Sequence, residues 1–191
     1  MRVLRTRQAL LDAFIELVLT RPYDEITVQD VARRAGVARS TLYEHFPGKQ
    51  ALLNASLAHP FSVLADTINQ NDNTDALIAL LNHFWENRAL ARRVFTGQMR
   101  PLTVGVLVRM IEERLHAARP RSTLAMPGRL AAIQLAEVLL APVVAWLTAG
   151  IECPAPRLAR GLRASASALM AGLRPVSTTR ARHSPDPGGG P

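Results

Sequence analysis

Apolar residues recur along the chain at the spacing of helices rather than strands. Near the beginning, Leu11, Phe14, Ile15 and Val18 fall at positions i, i+3, i+4 and i+7, which places them on one helical face. The pattern ends close to Arg21 and the proline that follows it. The sequence therefore predicts a first amphipathic helix that buries one face and ends near residue 21.

A second, much shorter helix is predicted after Thr27. This threonine stands at an N-cap position three residues before Asp30, and the apolar residues from Val28 to Ala35 keep the helical spacing. Gly36 can adopt the positive φ that ends a helix, after which a third helix is predicted from about 38 to 46. Two short helices around a glycine turn predict a helix-turn-helix.

The third predicted helix has a buried half and an outward half. Leu42 and Phe46 point to one side, with Ala38 near them. The opposite side and its flanks carry hydroxyl-bearing and charged side chains, namely Arg39, Ser40, Thr41, Tyr43, Glu44 and His45. Hydroxyls can donate to phosphate oxygens and arginine can donate to guanine, so this half suits DNA. The alternative is a solvated helix face in an ordinary bundle.

Beyond residue 57 the helical periodicity continues without a further motif. A fourth helix is predicted from about residue 48, interrupted at Pro60, and the polar stretch 69–74 is predicted to be a loop. Later amphipathic helices are predicted at about 75–87, 89–97, 101–117, 128–149 and 156–173. The segment from residue 175, rich in proline, glycine and serine, is expected to be disordered.

These elements predict an all-α protein with two functional parts. Residues 1–50 form the expected helix-turn-helix domain, and residues 51–174 form the expected C-terminal helical domain for ligand binding and dimerisation. Residues 175–191 are the expected disordered tail. An apolar content of 48% over 191 residues is enough to build a core for this architecture.

Charge adds little to this interpretation. The net charge is +8, yet it is spread as +2 over residues 1–58, +4 over 59–173 and +2 over the tail. Of the 23 basic residues 22 are arginine, which favours an acidic partner but also fits codon usage. Net charge alone therefore does not prove nucleic-acid binding.

Cysteine content and apolar runs bear on compartment. The single Cys153 excludes an intramolecular disulfide and a multi-cysteine zinc site. The start of the chain does not have the pattern of a signal peptide, and the longest apolar run, from Val138 to residue 150, is judged too short to span a bilayer and contains a proline. A cytoplasmic protein without a membrane partner is expected.

The stretch "ITVQDVARRAGVARSTLYEHFPGKQALL", residues 26–53, resembles the DNA-binding domain of the tetracycline-repressor (TetR) family of bacterial transcription regulators. The threonine cap, short helix, alanine-glycine-valine turn, threonine-leucine-tyrosine, histidine-phenylalanine and glycine-lysine follow the family's order. The resemblance implies a sequence-specific regulator, by default a repressor that a small-molecule effector releases from a double-stranded DNA operator. It also implies a homodimer, because one helix-turn-helix reads few base pairs.

The resemblance carries contact roles onto matching positions. It implies that Thr27, Tyr43 and Lys49 contact phosphates. It implies that base edges or the adjacent backbone are met by Arg39, Ser40 and Thr41, with His45 nearby. Two departures from the family pattern stand out: Ala38 replaces a serine that is common at this position, and Glu44 puts a carboxylate on the outward face.

Two further expectations concern the C-terminal helices. Aromatic, methionine and histidine side chains can line an apolar effector cavity, although they can equally be simple core: His83, Phe84, Trp85, Phe95, Met99, Met110 and Trp146. The last two helices are the candidate dimer interface, since small residues allow close approach: Ala159, Gly161, Ala164, Ala166 and Ala168. The alternative is one large monomeric core.

Enzyme interpretations find little support in the residues. His83 and Glu86 have a metal-ligand spacing on a helix, but no third ligand with matching spacing is evident, so no metal or other cofactor is expected. Cys153 permits thiol chemistry, and a redox sensor remains a minor alternative. The competing function is an all-helical small-molecule-binding or enzymatic protein that has kept a degenerate helix-turn-helix.

Overall fold

The computed structural model of the protein describes residues 2–69, 73–118 and 124–173, which fold into helices with no strand among them. The fold is all-α as predicted, with a helix-turn-helix at the N-terminal end and a helical bundle after it. The helices of these residues are α1 (Arg2–Thr20), α2 (Val28–Arg34), α3 (Arg39–His45), α4 (Lys49–Asp66), α5 (Thr74–Glu86), α6 (Arg88–Phe95), α7 (Arg100–Ala118), α8 (Gly128–Thr148) and α9 (Ala155–Gly172).

Helix α1 buries one face and ends where the sequence predicts. Phe14 and Val18 are almost fully buried, as their spacing requires. The Arg21 N–H still donates to the Leu17 carbonyl at 2.9 Å, but the next residue is a proline, which turns the chain. A 3₁₀ turn over Tyr23–Glu25 follows, and the Tyr23 ring meets the Phe14 ring edge-on at 6.3 Å.

Helix α4 is continuous through Pro60, so the predicted interruption there is wrong. Proline removes one backbone hydrogen bond inside a helix, which is the reason for the prediction. In this helix, Leu57, Phe61 and Leu64 are buried on both sides of Pro60. Packing of that apolar face outweighs the single lost bond. The predicted domain boundary at residues 50 and 51 lies in the first turn of α4, and the division into domains stays a prediction.

Helix α8 is the most deeply buried helix of the bundle. It packs against α7 and α9, and its buried residues include Leu135, Leu139 and Leu147. Among the described residues it is the one helix that is long and apolar enough, by length and composition, to cross a membrane. The helix, at 21 residues, begins ten residues before Val138, so it is longer than the apolar run on which the expectation rested. Half of its apolar window is buried inside the protein, as in a core helix.

Helix α9 has two different faces, and the small residues proposed for the interface divide between them. Ala159 and Ala166 are buried within the chain itself, so they cannot face a partner. Gly161, Ala164 and Ala168 are exposed. The physical reason is the helical repeat, because residues seven apart lie on the same face of a helix. Ala159 and Ala166 therefore share one face, and Gly161 and Ala168 share another. The expected tail, 175–191, lies outside the described residues.

Candidate nucleic-acid interface

Helix α2 begins at a complete capping box. The Thr27 hydroxyl accepts from the Asp30 N–H at 3.1 Å, and the Asp30 carboxylate accepts from the Thr27 N–H at 3.0 Å. The hydroxyl also donates to Asp30 Oδ2 at 2.6 Å. A phosphate contact by Thr27 would therefore compete with the cap for the single hydroxyl hydrogen.

The same cap shapes the ionisation of Asp30. The Thr27 hydroxyl, then the Thr27 N–H, then the nearby Arg21 and Arg33 hold the pKa of the Asp30 carboxyl below its usual range. The Arg33 guanidinium lies 2.5 Å from Asp30 Oδ1, and Arg21 lies 3.6 Å from Oδ2. Because the carboxylate is charged and paired, α2 starts with a fixed orientation.

The turn between α2 and α3 depends on Gly36. Its φ is 68°, a conformation that side-chain-bearing residues rarely adopt, and a Cβ at this position would meet no atom within 4 Å. The need for glycine is therefore conformational rather than steric. The Val37 N–H donates to the Ala32 carbonyl at 3.0 Å, which closes the turn.

Helix α3 begins after Ala38, whose side chain gives no cap. Ala38 is exposed, so it does not join Leu42 and Phe46 in the buried group as expected. The reason is its place before the first helical turn, where the extended backbone directs the side chain away from the face that Leu42 buries. The start of α3 therefore has no side-chain cap, and its first turn is closed by the Leu42 N–H, which donates to the Ala38 carbonyl at 3.2 Å.

Helix α3 presents its outward side chains to solvent and is anchored by two residues. Leu42 is 0% exposed and Phe46 is 2% exposed, whereas Tyr43 is 44% exposed. The Arg39 guanidinium donates to the Tyr43 hydroxyl at 3.3 Å and lies 5.5 Å from the ring centroid. This pair forms a prepositioned donor group on the surface.

The remaining α3 positions complete this surface. Ser40 and Glu44 are exposed, and Thr41 and His45 are partly exposed. Within the described part of the chain Glu44 has no ion-pair partner. Its carboxylate can therefore accept a hydrogen bond from a base amine, whereas a phosphate next to it would be repelled. The face therefore offers mixed hydrogen-bonding groups rather than a strongly basic patch.

Lys49, the first residue of α4, is held against the 3₁₀ turn. Its Nζ donates to the Tyr23 carbonyl at 2.7 Å and lies 4.1 Å from the centroid of the Tyr23 ring. Burial, followed by the neighbouring Asp24 carboxylate, raises the pKa of the Tyr23 phenol. The ammonium is partly buried and retains further hydrogens for a phosphate.

A cavity of about 120 Å³ lies where α1 meets α4, α5 and α6, and we call it the seam cavity. Four residues of the expected effector site line it, namely His83, Phe84, Phe95 and Met99. Sequence reasoning missed the walls from α1 and α4, which include Phe14, Ile15, Val18, Leu53, Ser56, Leu57 and Pro60. Periodicity identifies such residues as buried but carries no signal that a void adjoins them.

The other three expected residues do not reach the seam cavity. The rings of Trp85 and Trp146 lie 4.8 Å apart and line a separate groove beside Cys153, because Trp85 lies on a different face of α5 from Phe84. The Trp146 Nε1–H donates to the Cys153 carbonyl at 3.0 Å. Met110, on α7, packs against the core instead. The seven residues therefore do not line one cavity, contrary to expectation.

Metal binding was the remaining chemical possibility. Within residues 2–69, 73–118 and 124–173, no three His, Cys, Asp or Glu side chains are grouped so that they could hold a metal ion. His83 is instead bonded to its neighbour on the helix, with Asn87 Nδ2 at 3.3 Å from its Nδ1.

Part of the chain is similar to a known family of proteins. Residues 10–56, from α1 into α4, match the family described as "Bacterial regulatory proteins, tetR family". The chain is 32% identical over 103 residues to the HTH-type transcriptional regulator AlkX of Mycobacterium tuberculosis (strain ATCC 25618 / H37Rv), covering 53% of this chain and 46% of AlkX.

Two other matches extend the comparison. The chain is 28% identical over 96 residues to DhaS of Lactococcus lactis subsp. lactis (strain IL1403), the HTH-type dhaKLM operon transcriptional activator, covering 47% of this chain and 49% of DhaS. It therefore spans less than half the length of these two curated relatives. NalD, the secondary repressor of the MexAB-OprM multidrug efflux pump in Pseudomonas aeruginosa, has the same fold, with a TM-score of 0.55, 22% identity, and coverage of 90% of this chain and 98% of NalD.

Proposed function

Because the chain belongs to the tetR family of bacterial regulatory proteins, we propose that it is a sequence-specific, DNA-binding transcriptional regulator. The observation that carries the proposal is the outward face of α3, where Arg39 and Tyr43 stand exposed over the buried Leu42 and Phe46. A helix held in this way can enter a major groove without rearranging the core. The role is regulatory rather than catalytic, in the cytoplasm where the DNA lies.

The proposed contacts follow the exposed groups. Arg39, Ser40 and Thr41 meet base edges or the adjacent backbone, with His45 nearby. Tyr43 and Lys49 donate to phosphates, and Thr27 does so at the start of α2, in competition with its own cap. Hydrogen-bonding side chains at the surface of α3 support this assignment.

The regulator is proposed to act as a homodimer. Two recognition helices about 34–36 Å apart would read successive turns of one duplex. On α8, Leu130 is 52% exposed and Ile133 is 39% exposed, and on α9 the exposed face carries Gly161, Ala164 and Ala168. An apolar face beside a face of small residues supports close packing against the same helices of a second copy.

Selection of bound fragments from random double-stranded DNA tests this proposal. An enriched inverted repeat is expected, and its half-site spacing reports the separation of the two α3 helices. Arg39→Ala should weaken binding to that repeat by about 1–3 kcal/mol and relax the preference at one position of each half-site. Arg109→Ala, which removes the same charge from the exposed surface of α7, is the matched control.

The competing function makes the opposite prediction. An all-helical small-molecule-binding or enzymatic protein with a degenerate helix-turn-helix would enrich no sequence, and Arg39→Ala would bind DNA as the parent does.

For the direction of control we propose repression that a small-molecule effector relieves, as the name of NalD, a repressor, favours. DhaS is named an activator, so a reporter gene placed behind the selected repeat must measure the sign.

A further inference from the structure

We propose that Glu44 is a specificity-determining residue of α3, and that its carboxylate accepts a hydrogen bond from the N4 amine of a cytosine in each half-site. The inference rests on the regulatory function proposed above and names one base that the regulator reads. Glu44 is one of the two departures from the family pattern, and the resemblance implies no contact for it. Its role therefore depends on features that are particular to this chain.

Glu44 lies near the centre of the outward face of α3. Leu42 is fully buried on the other side of the helix, and Ser40 and Glu44 are the residues two before and two after it. At about 100° per residue, this pair projects within roughly 20° of the direction opposite Leu42, whereas Thr41 and Tyr43 project about 80° to either side. Both members of the pair are exposed, as this geometry requires. A helix that enters a groove with Leu42 turned away from the DNA therefore directs Glu44 towards the base edges.

No group of the protein compensates the charge of the Glu44 carboxylate. It forms no ion pair with any other described residue. The three arginines of α2 and α3 are engaged with other side chains, namely Arg33 with Asp30, Arg34 with Glu16, and Arg39 with Tyr43. The carboxylate also lies in the last turn of α3, where the helix dipole disfavours a negative charge. No contact among the described residues therefore gives Glu44 a part in stabilising the fold.

The chemistry of a carboxylate decides which base it accepts from. Removing its water inside a groove is costly unless a hydrogen-bond donor replaces that water. In the major groove cytosine and adenine present an amine donor, whereas guanine and thymine present acceptors. Cytosine suits a carboxylate better than adenine, because adenine N7 places a lone pair beside the amine and repels the second carboxylate oxygen. Glu44 therefore favours cytosine and rejects guanine and thymine by repulsion.

The same carboxylate lowers the attraction of α3 for DNA of any sequence. Helix α3 contains one arginine and one glutamate, so its formal charge is zero when His45 is neutral. A helix without net charge gains little from the phosphates, which supply most of the non-specific affinity for DNA. The repulsion by Glu44 is offset only where a cytosine amine meets the carboxylate. The residue therefore widens the difference in affinity between the operator and other DNA.

Selection of bound fragments from random double-stranded DNA, repeated with full-length variants, tests the assignment. The parent should enrich cytosine at one position of each half-site, and Glu44→Ala should lose the preference at that position alone. Glu44→Gln should shift the preference there to adenine, because an amide can bond to both N6 and N7 of adenine. Glu113→Gln, which neutralises an exposed carboxylate of α7, is the matched control and should enrich the same repeat as the parent.

A two-by-two cycle then measures the contact itself. Fluorescence anisotropy compares the parent and Glu44→Ala on the selected repeat and on a repeat in which that cytosine of one half-site is replaced by thymine, with its partner base. The replacement should weaken binding of the parent by roughly 5- to 150-fold, the usual cost of one mismatched base pair, and weaken binding of Glu44→Ala much less. The coupling isolates the interaction between side chain and base from the effect of either change alone. Thermal melting checks that the variant is folded, and its melting temperature should not fall below that of the parent.

The outcomes separate this inference from the proposed function. If Glu44→Ala binds every sequence more tightly by the same factor, the carboxylate lies beside a phosphate, and the inference is overturned while the regulator stands. Unchanged affinities for all sequences would place Glu44 in solvent and overturn it as well. So would enrichment of a base other than cytosine at the position that Glu44→Ala alters. If the parent enriches no sequence at all, the proposed function fails and the inference fails with it.

Discussion

The Lys49 ammonium has a structural role in addition to the DNA contact proposed for it. Its bond to the Tyr23 carbonyl joins the start of α4 to the turn that follows α1, across 26 residues of sequence. The ring of the same tyrosine lies beneath the ammonium, and this cation–π contact adds to the tie. The residue expected to contact phosphate is therefore also a structural tie.

We expect Lys49→Met to lower both stability and DNA affinity. The lost bond from a charged donor should cost about 1–2 kcal/mol, somewhat less than the full value because the site is only partly buried. Chemical unfolding followed by circular dichroism measures the loss, and Lys49→Arg should recover part of it. An unfolding midpoint equal to that of the parent would show that the tie contributes nothing.

The Arg39 and Tyr43 pair differs from the partly buried Lys49, because both side chains of the pair are exposed. Tyr43→Phe keeps the ring beneath the guanidinium and removes the hydroxyl, so stability should stay within about 0.5 kcal/mol of the parent. DNA affinity should fall by about 1 kcal/mol, the usual net value of one hydrogen bond. Fluorescence anisotropy with the selected repeat measures this, and Ser167→Ala, an exposed hydroxyl on α9, is the control. Undiminished affinity would remove Tyr43 from the interface.

On the scale of elements, the short helices α2 and α3 are held in place in different ways. Helix α2 has its capping box and the Gly36 turn, whereas α3 has no side-chain cap and relies on buried Leu42 and Phe46. Seven residues are too few for an isolated helix in water, so packing must hold α3 in place. The element proposed to contact DNA therefore depends on tertiary packing more than α2 does.

The cap of α2 predicts a dependence of stability on pH. The folded pKa of Asp30 lies below its unfolded value, so its contribution is present above the unfolded pKa and disappears as the pH falls through the folded one. Asp30→Asn should therefore be less stable than the parent at neutral pH, and the difference should shrink below about pH 4. Thermal melting from neutral to acid pH measures both. A constant difference would contradict the prediction.

Local sequence signals were sufficient for the elements and insufficient at Pro60. Thr27 with Asp30, and Gly36 after them, mark ends that depend on nearby residues alone, and the predicted helices there agree with the observed ones within one or two residues. Whether Pro60 ends a helix depends on the burial of Leu57 and Phe61 against distant elements. The outcome depends on tertiary packing, so helix propensity alone predicted an interruption at Pro60 that the structure does not have.

On the scale of the whole molecule, the proposed dimer depends on faces that one chain leaves uncovered. The sequence of α9 shows that small residues are frequent in it. Only the packing of the folded chain shows that Ala166 is buried and that Ala164 is exposed. The seam cavity has the same origin, since its walls come from four helices whose meeting no local pattern records. Sequence thus located the exposed face of α3 better than it located the cavity.

The two faces of α9 predict different effects for two similar positions. Ala164→Arg should fold normally but convert the proposed dimer to a monomer, because a long charged side chain blocks close approach. Ala166→Leu should instead overpack the core and cost about 1–3 kcal/mol of stability. Light scattering after gel filtration and thermal melting separate these results. An Ala164→Arg variant that remained dimeric would place the interface elsewhere.

The neighbouring rings of Trp85 and Trp146 have a practical consequence, since the chain contains two tryptophans and both lie there. Neither belongs to residues 10–56. Tryptophan emission from this protein is consequently a single local signal from the ends of α5 and α8, outside the matched segment that contains α3. DNA binding is therefore better followed with a dye attached to the oligonucleotide.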